Sequence, residues 1–238
     1  MEKKVYHQIL WVAIFAFNCL CLENKLIIIP RIDIPLLVGA ATTSASIALI
    51  RAERFVPMEF TGKTELINLV DRPFAGIHQP GLSIVSDLTL AATIVASPIF
   101  LAFTQNRPNS IVDELFLVAE SISLTQFLLQ ITKTAVSRPR PLMYAENLSD
   151  KQRFRADNFL SFFSGHAATT FSFATSTTML TAKSNTSKSL KAASAIVTFS
   201  LASVTSVLRV ASGKHFITDV LSGAIIGAAT SMIVIEAH

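Results

Sequence analysis

The last apolar stretch of the chain, FITDVLSGAIIGAATSMIVI at residues 216–235, carries a single charge, Asp219. A helix needs about 20 residues at 1.5 Å rise to cross roughly 30 Å of hydrocarbon, and this stretch supplies them. Working back along the chain, comparable runs lie at 190–208, 166–182, 111–132, 84–103 and 34–50, with a further one at 8–22. None alternates strictly over about 10 residues, as a membrane β-strand does, so the runs read as helices. Composition agrees. Of 238 residues 51% are hydrophobic and 15% charged, where a soluble domain carries about 25% charged residues. The sequence predicts an all-α, polytopic membrane bundle, with six core transmembrane helices forming one domain over residues 34–236.

Residues 1–22 stand apart. Lys3 and Lys4 precede the run 8–22 and Glu23-Asn24-Lys25 follows it, the layout of a secretory signal peptide or, uncleaved, of an N-terminal anchor. The two cysteines, Cys19 and Cys21, both fall in that run, so neither a disulfide framework nor a zinc site is expected. Net charge is +4 with no block of like charges, which argues against nucleic acid as a partner.

Two connections are long and polar, 51–83 and 133–165; 104–110 and 183–189 are short. If the six core helices alternate across the bilayer, three stretches share one side: the end of 111–132, the start of 166–182 and the junction after 190–208. Helix parity alone therefore gathers Lys133, Arg140, Ser164, His166, Arg209, His215 and Asp219. Two arginines and a lysine suit a multiply charged anion, because the guanidinium fork matches phosphate oxygens and the ammonium adds a point charge. Ser164-Gly165 opens a helix, whose free N–H groups favour the same anion. Two histidines can serve near neutral pH as nucleophile and general acid. Asp219 follows His215 by one helical turn, placed to orient its ring.

The residues Lys133-x6-Arg140-Pro141, Ser164-Gly165-His166 and Arg209-x5-His215-x3-Asp219 resemble the three motifs of the type 2 phosphatidic acid phosphatase family, in the family's order. Vanadium haloperoxidases and acid phosphatases belong to the same superfamily. The resemblance implies that Lys133, Arg140 and Arg209 bind phosphate with Ser164 and Gly165. It implies that His215 attacks phosphorus, Asp219 orients it, and His166 protonates the leaving oxygen. No metal or other cofactor takes part in that scheme. Two positions depart from the pattern: Phe163 stands where the second motif normally has proline, and Leu208 where the third normally has serine. Neither removes a histidine, so activity is expected.

Outside the motifs, His7, His78 and His238 read as structural. Arg138 reads equally as a lipid head-group contact or an interfacial charge, and Lys151, Arg153 and Arg155 as a solvated loop. Glu120, inside a span, reads as a hydrogen-bonding group of the bundle. Asp87, on the motif side, is placed to pair with a basic residue. Gly223 and Gly227 form a small-xxx-small face suited to internal packing.

The expected function is a membrane lipid phosphate phosphatase, metal-independent and working through a phosphohistidine. Its partners would be the bilayer and a lipid phosphate: phosphatidic acid, phosphatidylglycerol phosphate, isoprenyl pyrophosphate or lipid A. The alternative is a catalytically weak or inactive phosphatase-like lipid-binding protein. A haloperoxidase is argued against by the apolar spans. The expected location is a bacterial inner membrane; the resemblance implies a site on the non-cytoplasmic side, which would leave Lys183, Lys188 and Lys191 at the cytoplasmic end.

Overall fold

The computed structural model describes residues 33–54, 60–104 and 108–238; the signal-like residues 1–22 lie outside these. Regular structure among the described residues is helical throughout. The long helices are α1 (Asp33–Arg54), α2 (Pro80–Thr104), α3 (Pro108–Val136), α5 (Gly165–Lys183), α6 (Lys188–Ala211) and α7 (Ile217–Ala237), with a single turn, α4 (Asp150–Arg153), between α3 and α5.

Local chemistry sets the boundaries that matter for the site. Proline opens α2 and α3, where its missing N–H costs nothing and its φ is already helical. Ser137, at φ +46°, ends α3 in the left-handed region, and Pro139 keeps the exit extended until Pro141 opens the short 3-10 helix Pro141–Tyr144. The chain leaves α3 extended, carrying Arg138 and Arg140. Ser164 caps α5 and Ser187 caps α6, each hydroxyl accepting from a backbone N–H three residues on. Asp219 reaches back to the Phe216 N–H at 2.9 Å, closing the first turn of α7.

Packing is inverted relative to a soluble protein. Ile84, Val85, Leu88, Val95, Ile196, Val207, Ile225 and Ile233 point outward, while Ser97, Ser172, Thr177, Thr181, Ser194 and Ser231 are buried. Lipid rewards outward aliphatic groups, and interhelical hydroxyl bonds inside contribute about 0.6 kcal/mol each. The centre is α5, packed against α2, α3, α6 and α7. Hydroxyl pairs tie it to α2 (Ser97–Thr177, 2.5 Å), to α6 (Thr181–Ser194, 2.9 Å) and to α7 (Ser172–Ser231, 2.7 Å), and Gln126 of α3 donates to Thr169 at 2.8 Å.

Among the described residues six long helices stand where six spans were expected, and of these α2, α3, α6 and α7 alone are long and apolar enough to cross a membrane by themselves. The shorter apolar part of α1 is Leu37–Ile50. The shortfall of α5 has a physical reason: its neighbours cover it, so its surface meets hydroxyls rather than lipid. Gly223 and Gly227 pack against its first turns, where an added Cβ would lie 2.5 Å from the Ser164 oxygen and 2.0 Å from the Ala168 oxygen.

Candidate active site

The backbone that delivers the site is built at one end of the bundle. Gly213 turns the chain from α6 to α7 at φ +74°, and a Cβ there would sit 1.7 Å from the Ile77 carbonyl oxygen. Only glycine allows that approach. The Gly213 carbonyl accepts from Leu142 N at 3.0 Å, and Arg140 N donates to the Asn158 carbonyl at 2.8 Å. The α6–α7 turn, the strand-like exit from α3 and the turn Ala156–Phe159 are thereby held together.

His215 is fully enclosed, at 1% exposure. Its Nδ1 lies 2.8 Å from the Ser161 carbonyl oxygen and 3.8 Å from Asp219 Oδ2. A carbonyl only accepts, so Nδ1 carries the proton and Nε2 keeps its lone pair. Sequence spacing suggested that the carboxylate would take this proton directly; the structure puts the Ser161 carbonyl in that position. Asp219 instead accepts from Ser161 Oγ at 2.5 Å and Phe216 N at 2.9 Å through Oδ2, and from Arg138 Nη1 at 2.5 Å through Oδ1.

Burial, then the positive charges of Arg209, Arg140 and Lys133, hold the His215 imidazole well below its ordinary pKa of 6.5. It is neutral at neutral pH. Arg140 and Arg209 are each 4% exposed. Arg140 Nη2 donates to Asp157 Oδ1 at 2.9 Å. Arg209 Nη1 donates to Ser83 and Ser86 hydroxyls at 3.2 and 3.1 Å and stands 3.5 Å from Asp87 Oδ1. The Nε of each arginine is buried with no hydrogen-bond partner among the described residues. Two such donors beside a neutral imidazole form an environment that an oxyanion would satisfy.

Around this centre, His166 Nε2 meets Asp87 Oδ1 at 2.8 Å. Ser164 N donates to the Asp219 carbonyl at 2.9 Å, linking the starts of α5 and α7. The added Cβ of a side chain at Gly165 would lie 2.9 Å from Leu129. Lys133, on the last turn of α3, acts electrostatically on both His215 and Asp157. The structure therefore brings every residue of the three motifs to one end of the bundle.

Several residues at this end carried little or no sequence signal. Asp157 is held far below the usual carboxylate range, foremost by Arg140. Lys214, next to His215, is lowered to about 8, first by burial and then by Arg140. Arg138 is neither a head-group contact nor a plain interfacial charge. It bridges Asp71 (2.8 Å) and Asp219 and lies 4.4 Å above the Phe216 ring. Lys214 is adjacent to a motif histidine and Arg138 lies inside a motif spacer, which are the only hints of either. Asp71 and Asp157 sit in aperiodic loops and gave none.

A family model described as the PAP2 superfamily matches residues 114–238. No curated protein matches the chain. Among solved structures, the first transmembrane PAP2-type phosphatidylglycerolphosphate phosphatase from Bacillus subtilis aligns with TM-score 0.51 at 19% identity, over 86% of this chain and 94% of that one. LpxE of Aquifex aeolicus aligns with TM-score 0.46 at 24% identity, over 75% of this chain and 97% of that one. The Bacillus likeness shows a shared fold. With the matched region spanning more than half of the sequence and containing all three motifs, this multi-pass membrane chain belongs to the PAP2 superfamily.

Proposed function

We infer that the chain is a membrane lipid phosphate phosphatase. The observation that carries the reading is the enclosed, neutral His215 beside two buried arginines whose Nε donors have no hydrogen-bond partner among the described residues. In the reaction, the Nε2 lone pair of His215 attacks phosphorus and the bond to the lipid oxygen breaks. His166 gives that oxygen its proton. Arg140, Arg209 and Lys133, with the Ser164-Gly165 helix start, stabilise charge on the phosphoryl oxygens. Water then attacks phosphorus, giving its proton back to His166, the bond from phosphorus to His215 Nε2 breaks and inorganic phosphate leaves. Asp219 holds the turn that presents His215. Cationic side chains supply the charge stabilisation, so the reaction is metal-independent.

The substrate is a phosphomonoester or pyrophosphate whose lipid tail stays in the bilayer, from the group of phosphatidic acid, phosphatidylglycerol phosphate, isoprenyl pyrophosphate and lipid A. The Bacillus neighbour of shared fold is a phosphatidylglycerolphosphate phosphatase, whose substrate is one member of that group. We place the site on the non-cytoplasmic face of a bacterial inner membrane. The test is phosphate release from these four lipids in detergent: activity that survives chelator and is blocked by vanadate supports the reading. Binding to the lipids without phosphate release would favour a phosphatase-like lipid-binding protein instead.

A further inference from the structure

A closed ring of interactions lies behind His215. The Arg138 carbonyl accepts from Ser161 N at 2.9 Å. The Ser161 carbonyl accepts from His215 Nδ1, the Ser161 hydroxyl donates to Asp219 Oδ2, and Arg138 Nη1 donates to Asp219 Oδ1. Arg138 is therefore tied to His215 twice, by its backbone through Ser161 and by its side chain through Asp219.

The ring is anchored from outside the matched region. Asp71, fully buried, accepts from Arg138 Nη2 at 2.8 Å, from Thr218 N at 3.1 Å and Thr218 Oγ1 at 2.5 Å, and from Asn68 Nδ2 at 2.7 Å. Burial pulls its carboxyl up, but the bonds from Thr218, Arg138 and Asn68 outweigh it and hold the group ionised. Arg138 thus has one carboxylate on each arm of its fork, a geometry lysine cannot reproduce.

We propose that Arg138, clamped by Asp71 and acting through Ser161 and Asp219, is the positioning residue that fixes the ring and charge environment of His215. Two consequences follow. The Ser161 carbonyl selects the tautomer with Nε2 free. The guanidinium neutralises Asp219, which at 3.8 Å would otherwise draw a proton onto the imidazole. The other charges facing His215 are Arg209 from α6, Arg140 and Lys133 from the α3 end, His166 from α5, and Asp157 from its turn. Asp219 is thus the close anion on the Nδ1 side, and its compensation by Arg138 decides how strongly it acts. The inference rests on the reading that His215 attacks phosphorus.

The experiment is kinetics of the full chain in detergent on dioctanoyl phosphatidic acid and farnesyl pyrophosphate, against pH, with thermal unfolding as a folding control. Arg138→Gln leaves Asp219 and Asp71 uncompensated, so the acid limb of kcat/KM moves to higher pH. Asp71→Asn leaves the guanidinium wholly on Asp219, so that limb moves to lower pH. In both, kcat falls roughly 10- to 100-fold, the range for outer partners that orient a reacting group, while KM stays within about twofold. Ser161→Ala keeps the carbonyl but loses the Asp219 bond, and lowers kcat in the same way. Arg138→Lys restores part of the kcat. Should Arg138→Gln fail to fold, Asp71→Asn and Ser161→Ala carry the test. An active wild type whose folded variants keep its pH profile and kcat overturns this inference alone. Where phosphatidylglycerol phosphate or lipid A is the better substrate the same comparison is made on it; a wild type that releases phosphate from none of the four overturns the phosphatase reading, and this inference with it.

Discussion

His215 shows how a residue acquires reactivity from what encloses it. Burial and three neighbouring cations act in the same direction, and the Ser161 carbonyl fixes the proton on Nδ1. A nucleophile of this kind works only when neutral, so activity is lost as pH falls through its pKa. Because that pKa lies well below 6.5, phosphate release should persist at pH 6 with little loss; an acid limb centred at or above 6.5 would contradict this. His215→Ala should abolish turnover, and rapid quench of wild type with labelled substrate should trap an acid-labile adduct. Lys214 bears on substrate binding at alkaline pH. Its ammonium, lowered to about 8, is charged below that pH and neutral above it. KM for a lipid phosphate should therefore rise as pH passes about 8, and Lys214→Arg should keep KM flat to higher pH. The motif residues were legible because arginine and histidine are conspicuous in so apolar a chain and helix parity places them. Asp71, Asp157 and Ser161 were not, because their roles come from tertiary contacts between irregular segments that have no period to read.

Elements are held here by close approach more than by apolar bulk. The positions of the long helices could be read from hydropathy, but the central place of α5 could not. Its run of serines and threonines reads as a weak span until its neighbours are known to cover it. The glycines of α7 make the dependence measurable. At Gly227 even a methyl would lie 2.0 Å from the Ala168 oxygen, which forces α5 and α7 apart. Gly227→Ala should cost about 1–3 kcal/mol, seen as a lower unfolding temperature in detergent. Gly39, in α1, has nothing within 4 Å of an added Cβ, so Gly39→Ala should be neutral or stabilising by up to about 1 kcal/mol. Gly213→Ala combines a left-handed φ with overlap on the Ile77 carbonyl. It should cost roughly 2–5 kcal/mol and lower activity out of proportion, because that turn sets the spacing between Arg209 and His215.

At the scale of the whole molecule, the two ends of the bundle differ in how their basic residues are used. At the active end, Arg138 and Arg140 are paired with Asp71, Asp219 and Asp157, and Arg153 donates to the carbonyls of Met143 and Ala145. At the other end, Lys183 and Lys188 are exposed, and Lys183 and Lys191 donate to the carbonyls of Ile235 and Ala182 near helix C-termini. Lysines there meet the negative ends of helix dipoles and leave charge at the membrane surface. Both ends carry Lys and Arg near the spans, and Asp and Glu contribute little to orientation, so the choice is made by experiment. The proposed orientation puts the α5–α6 turn in the cytoplasm and the site outside, where the lipid phosphate would be met. A cysteine introduced at Asn147, on the active side, and another at Ser184, in the α5–α6 turn, separate the alternatives once Cys19 and Cys21 are replaced. On intact spheroplasts an impermeant thiol reagent should label Asn147→Cys at once and Ser184→Cys only after lysis. Labelling of Ser184→Cys alone before lysis would put the site in the cytoplasm and reverse the assignment.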